Sequence, residues 1–229
     1  MIRLNMIAEG QTEEAFANRI LIPHFAKLEI FISVQLIQSK TNNNSRLYKG
    51  GWNSYDVLKK HAVRWMRADR SKDARFTTML DLYALPSDFP GKLESESIKN
   101  GHDKVEFLEK QMLSDFESEG NNRFIPYLQL HEFEALILSD PSKFSFEFLE
   151  HKNQINKISD MSVNFGSPEE INSQPNLSPS KRIIKEIPEY GSRKVSAGPV
   201  IAELIGLEKM MEKCPHFASW IKLLEKLRD

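Results

Sequence analysis

The chain is short of cysteine, of net charge and of long apolar runs, and each shortage removes a class of protein. Its 229 residues include one cysteine, Cys214, so no disulfide closes within it and no zinc site can be built from several thiolates. So sparing a use of cysteine suits a reducing compartment, and a cytoplasmic protein is the expectation. No run of about eighteen uncharged apolar residues occurs, and the start MIRLNMIAEGQTEE puts acids where a secretory signal needs an apolar stretch. Neither export nor membrane contact is expected. A formal net charge of −1 argues against coating nucleic acid by bulk basicity. Several motifs are also missing. No GxxxxGK[ST] phosphate loop is present, His131-Glu132-Phe133-Glu134-Ala135 lacks the second histidine of a zinc-protease helix, and a zinc deaminase would need a cysteine pair.

What is present is ample core material, with 40% hydrophobic and 28% charged residues. That composition suits one large domain or a core with a small appendage. The near-zero charge conceals segregation. Residues 40–75 carry ten Lys and Arg against three Asp and Glu, residues 76–175 carry eight against eighteen, and residues 176–229 carry ten against seven. Basic segments flanking an acidic middle suit a protein that grips phosphates while holding metal-binding carboxylates, and ordinary solvated surface is the competing reading.

The apolar run Ile2–Ala8, the turn Glu9-Gly10 and the acids Glu13 and Glu14 after Thr12 predict strand, tight turn and helix, with Pro23 ending or kinking that helix near Ile22. Further strands are expected at 30–37, 76–80 and 123–130. Helices are expected from Asn53, over 103–117, and after Leu130 as far as the residue before Pro141. The stretch 39–51, with three successive asparagines and a Gly-Gly pair, reads as a loop. Strands alternating with helices predict an α/β fold, a largely parallel Rossmann-like sheet flanked by helices. The core is expected over 1–150, a linker or surface excursion over 151–178, and a helical extension over 179–229, with helices at 179–186, 199–213 and 217–227.

In a parallel sheet the carboxyl ends of strands meet at one edge. Glu9, Asp81, Glu132 and Glu134 each follow an expected strand there. Carboxylates so gathered repel one another unless a cation neutralises them, which points to Mg²⁺ or Mn²⁺. Such an ion would make phosphodiester hydrolysis of DNA or RNA available, with Glu9, Asp81, Glu132 and Lys181 as catalytic candidates. Two residues apart on a helix, Glu132 and Glu134 would face opposite ways, and Glu132 is favoured. Cap and turn duties are the competing reading for each acid. The run Ser178-Pro179-Ser180-Lys181-Arg182 puts cations at a helix start, where they oppose the dipole but suit a bound anion, so Lys181 and Arg182, with Lys194 beyond, are phosphate candidates. Cys214 beside His216 reads as packing rather than as a nucleophile, and nothing marks Tyr48 or Tyr83 as activated.

Glu9-Gly10-Gln11-Thr12-Glu13 after a strand, with Asp81 ending a later one, resembles the Toprim fold of topoisomerases, primases and overcoming-lysogenisation-defect nucleases. More narrowly, EGQTEE, TMLDLYALPSDFPG, IPYLQLHEFEALILSD, SPSKR and CPHFASW, in this order over nearly the whole chain, resemble an uncharacterised bacterial family, domain of unknown function 4276. The Toprim resemblance implies metal held by Glu9 and Asp81. Tyr83 stands where the second aspartate of the Toprim Asp-x-Asp pair is found, so Asp88 or the Glu132/Glu134 pair would supply the missing oxygen. The resemblance also implies antiviral or antiplasmid defence beside an AAA-type or structural-maintenance-type ATPase. A non-catalytic subunit binding nucleic acid or such an ATPase is the alternative, and an antitoxin-like partner is a third reading.

Overall fold

Five parallel strands form the centre of the fold: β1 (Ile2–Ala8), β2 (Ile30–Leu36), β3 (Ala74–Asp81), β4 (Phe124–Ile125) and β5 (Leu128–Gln129). This computed structural model describes residues 1–37, 52–171 and 177–228, and the loop expected at 39–51 lies outside the described residues. The order is β2-β1-β3-β4, with β5 pairing beside β3 further along. Both faces of the sheet are covered. Leu4, Met6, Ala8 and Met79 point into one core, while Ile7, Ala74, Phe76 and Leu80 point into the other. That is why β1 and β3 read as nearly continuous apolar runs.

The second core is closed by α3 (Tyr55–Ala68) and α4 (Gly101–Glu117), through Leu58, Ala62, Val105, Leu108 and Met112. The first is closed by α1 (Gln11–Phe16), α2 (Ile22–Ala26) and the carboxyl-terminal third of the chain. The chain steps one way from β1 to β2 and the other way from β2 to β3 and β4. Right-handed crossovers therefore put the connecting helices on opposite faces.

Local sequence explains the departures from expectation. Pro23 does not end the first helix. The turns before it widen into a π-helical stretch, Ala17–Leu21, and the helix continues to Ala26. The single strand expected over 123–130 is split at Pro126, which has no N–H to donate. Thr78 spans the gap, its Oγ1 accepting from the Tyr127 amide and donating to the Tyr127 carbonyl, each at 2.9 Å.

The chain after the sheet builds α5 (Glu134–Ile137), α6 (Lys152–Val163), α7 (Pro179–Glu186), α8 (Tyr190–Ile205), α9 (Leu207–Lys213) and α10 (Pro215–Glu225). The stretch expected as linker over 151–178 thus contains a helix. Ile155 and Ile158 of α6, one turn apart on one face, are buried in the first core. The helix expected over 199–213 begins earlier, at Tyr190, and Gly206 interrupts it with φ +84°, a left-handed conformation that glycine adopts without penalty. Burial of a large apolar side chain contributes about 1.5–3 kcal/mol. Ile183, Ile201, Phe217 and Ile221, all fully buried, therefore make the extension integral to the fold. The Trp220 indole stacks on Tyr127 at 4.1 Å and donates to Thr77 Oγ1 of β3 at 3.0 Å. No helix among the described residues is long and apolar enough to cross a membrane.

Candidate functional site

From β1 the chain crosses to β2 on one side, and from β3 it crosses to β4 on the other, so the carboxyl ends of the adjacent β1 and β3 form the topological switch point of the sheet. Glu9 follows β1 and Asp81 closes β3. The Asp81 amide donates to Glu9 Oε2 at 2.9 Å, tying the two strand ends together. Glu13 points back at the same place because the Gly10 amide donates to its Oε2 at 2.9 Å, the reciprocal half of a capping box.

Glu132 and Glu134 complete the group. Glu132 lies just before α5 and Glu134 is its first residue, so the rule that would set them on opposite sides of a helix does not apply. The Ser180 amide donates to Glu132 Oε1 at 2.5 Å and the Ser180 hydroxyl to Oε2 at 3.0 Å. Glu134 is buried, receiving the Tyr190 hydroxyl and the Lys194 ammonium on Oε1, both at 3.1 Å. Helix α8 delivers both donors by close approach at Gly198, where an added Cβ would lie 3.1 Å from the Phe133 ring and 3.2 Å from the Tyr190 hydroxyl.

Burial, followed by the charges of Glu13, Glu9, Glu134 and Glu132, holds the Asp81 carboxyl well above the ordinary carboxylate range. Asp81 retains part of its surface, yet its Oδ1 is inaccessible and has no hydrogen-bond partner. Burial also raises Glu134, against the opposing charge of Lys194, and raises Glu9 against the Asp81 amide. Glu13 is pushed up to about 7 by burial and by the charges of Glu9 and Glu134. For Lys194, burial opposes protonation, but Glu134, Glu132 and Asp81 outweigh it and hold the ammonium above its usual range. Glu9, Asp81 and Glu132 keep partial exposure, while Glu13 and Glu134 lie behind them.

The structure thus brings together all four carboxylates singled out from sequence, and adds Glu13 and Tyr190. Glu13 was legible in principle, because an N3 glutamate in a capping box reaches back toward the strand end. Nothing near Tyr190 in sequence marks it. Asp88 is elsewhere, accepting from the Ser54 hydroxyl and the Tyr55 amide, each at 2.8 Å, at the start of α3. Lys194 sits among the acids. Arg182 donates Nε to the Leu177 carbonyl at 2.7 Å and lies over the Phe165 ring, beside a cavity of about 290 Å³. Lys181 lines both that cavity and a larger cleft of about 920 Å³. Cys214 is buried, and His216 turns Nε2 to Glu109 at 3.1 Å and to the Leu128 carbonyl at 3.2 Å.

The larger cleft adjoins the acids, with Glu132, Ser180, Tyr83 and His131 in its wall. Tyr83 is 45% exposed and stacks on His131 with ring centroids 5.1 Å apart. His131 has φ +68°, a left-handed conformation that costs a non-glycine residue about 1–2 kcal/mol. Burial lowers its imidazole to about 4, so the ring is neutral at neutral pH.

As donors for a cation the acids offer oxygen only, which suits Mg²⁺ or Mn²⁺, and the unpartnered Asp81 Oδ1 is the atom such an ion would satisfy. Among the described residues no three His, Cys, Asp or Glu side chains are grouped as a ready ligand set. Glu9, Glu13, Glu132 and Glu134 are each turned to a protein donor. No curated protein and no solved structure matches the chain. The sequence model of Domain of unknown function (DUF4276) matches residues 8–225, and the chain belongs to that family.

Proposed function

We propose that this protein is a metal-dependent nuclease with a Toprim-type core, related to overcoming-lysogenisation-defect nucleases and hydrolysing phosphodiester bonds in DNA or RNA. The observation that carries the reading is the convergence of four negative side chains on Asp81 at the sheet switch point, with Lys194 as their counter-cation. Such a gathering is costly unless a divalent ion offsets it. Glu9, Asp81, Glu132 and Glu134 would hold Mg²⁺ or Mn²⁺. A bound ion supplies polarisation of a phosphoryl oxygen and a lowered pKa for water.

The chain's own groups prepare that site. Ser180 orients both oxygens of Glu132, and Tyr190 with Lys194 fixes Glu134. Lys181, in the wall of the adjoining cleft, would meet substrate phosphate. The defence setting beside an ATPase belongs to the proposal on the family resemblance, and the cytoplasmic setting on the single cysteine. Cleavage of labelled single-stranded DNA, duplex DNA and tRNA with Mn²⁺ or Mg²⁺ tests the reading. Cutting that requires metal and vanishes in Asp81→Asn is the expected result. No cutting by the wild type, with a neighbouring ATPase and its nucleotide added, would overturn it.

A second reading, a non-catalytic subunit that binds nucleic acid or an ATPase, is favoured by Tyr83 at the second metal position and by the protein donors already engaging the acids. A metal-binding isotherm separates the two. Tight Mn²⁺ binding lost in Glu9→Gln supports the enzyme, and weak binding unchanged by it supports the subunit.

A further inference from the structure

The large cleft has a composition that metal chemistry alone does not call for. One wall carries Tyr83, 45% exposed and stacked on His131, and His131 itself is 6% exposed with Nδ1 lacking any hydrogen-bond partner. Lys99, Lys104 and Lys181 line the same cleft. Glu170 lines it too, while the Glu169 carboxylate is committed to the amides of His216 and Phe217 at 2.9 and 3.0 Å.

A partly exposed aromatic side chain stacked on a second ring, in a cleft that several lysines also line, is the chemistry that recognises an unpaired base and its backbone. Bases stack on aromatic faces regardless of identity, and cations track the phosphates. A duplex keeps its base faces in its own stack and cannot offer them. His131 holds a left-handed backbone at an intrinsic cost, with its ring stacked on Tyr83. The Tyr83 amide donates to the His131 carbonyl at 3.2 Å, so the two rings are tied through their backbones as well.

We propose that this cleft is a single-strand site, in which Tyr83 stacks an unpaired nucleobase and Lys99, Lys104 and Lys181 hold the adjoining phosphates. The inference rests on the nuclease reading only for its direction, since Tyr83 follows Asp81 by one short turn and would deliver the strand toward the acids. It explains Tyr83 at that position as a substrate contact.

The test is fluorescence anisotropy of a labelled ten-nucleotide strand with the full chain in EDTA, so that binding is read without cleavage. Tyr83→Ala is expected to weaken binding about 5- to 100-fold, with Tyr83→Phe close to wild type, because stacking needs the ring and not the hydroxyl. Tyr83→Leu, which keeps apolar bulk, serves if the alanine variant is unstable. Alanine at Lys99 or Lys104 is expected to lower the slope of log Kd against log salt by about one counterion. Wild-type affinity in both Tyr83→Ala and Tyr83→Leu would overturn the proposal, as would equal affinity for the duplex of the same sequence or for a mononucleotide. The nuclease reading fails on a different result, the absence of metal-dependent cleavage. Ring-dependent strand binding without cleavage would leave this inference supported and that reading lost.

Discussion

The amide of Asp81 donates to the carboxylate of Glu9 at 2.9 Å, across 72 residues of chain. The bond joins the carboxyl ends of β1 and β3 and sets two acids side by side where the sheet changes direction. Glu9 thereby gains one donor for a partly buried carboxylate, while Asp81 gains an acidic neighbour.

That crowding predicts a pH-dependent stability. The folded-state carboxyl of Glu13 sits at about 7, above its ordinary value of 4.5. An acid raised on folding contributes stability that is complete below its unfolded value and is lost as the pH rises through the folded one. The loss for Glu13 is on the order of 3 kcal/mol at about 1.4 kcal/mol per pH unit. Without divalent metal, the melting temperature is expected to fall between about pH 5 and about pH 8. Glu13→Gln, which keeps the acceptor for the Gly10 amide, is expected to flatten the fall. Equal slopes in the two proteins would exclude Glu13 as its source.

Divalent cation should reverse the same effect. Mn²⁺ or Mg²⁺ is expected to raise the melting temperature more at about pH 8 than at about pH 5, because the carboxylates must be ionised to ligate. Glu9→Gln or Asp81→Asn is expected to reduce the shift. A shift in wild type that is independent of pH would point to binding away from the acids.

Lys194 should matter for stability as well as for the site. Lys194→Met leaves Glu134 buried with Tyr190 as its donor and no cation, and a loss of about 1–3 kcal/mol in urea unfolding is expected. Adding Glu134→Gln removes the uncompensated charge and is expected to recover much of that loss. A double-mutant loss equal to the sum of the Lys194→Met and Glu134→Gln losses would show that the two side chains act independently.

His216 predicts an effect of the same sign from a base. Burial would lower its imidazole, but Glu109 and Glu169 outweigh that and raise it above its ordinary 6.5. Its contribution is therefore complete below pH 6.5 and is lost as the pH rises through the raised folded value. His216→Gln is expected to lose more stability at about pH 6 than at about pH 9, on top of the pH-independent loss of stacking on Tyr127. A penalty that does not change with pH would show that the ring is neutral in the folded protein.

The amino-terminal half was well marked in the sequence. Ile2–Ala8 and 76–80 read as strands because burial on both faces demands unbroken apolar runs, and the acids that end them stand out against those runs. Helix α6 was obscured because its apolar positions are spaced among Asn, Ser and Lys, a composition shared with loops. The last strand breaks at Pro126, and the bridging of that gap depended on Thr78, a residue of a different element.

By itself, then, the sequence determined the alternation of strand and helix, the parallel sheet, and the presence of Glu9, Asp81, Glu132 and Glu134 at its carboxyl edge. These follow from local periodicity and from the apolar demand of a doubly covered sheet. Only the tertiary structure decided which charges meet. It sent Asp88 to the start of α3, paired Lys194 with Glu134, and set Tyr83 against His131. Those outcomes depend on how closely α8 approaches α5 at Gly198 and on the left-handed turn at His131. Both are set by packing between distant segments, which spacing along a single chain does not encode.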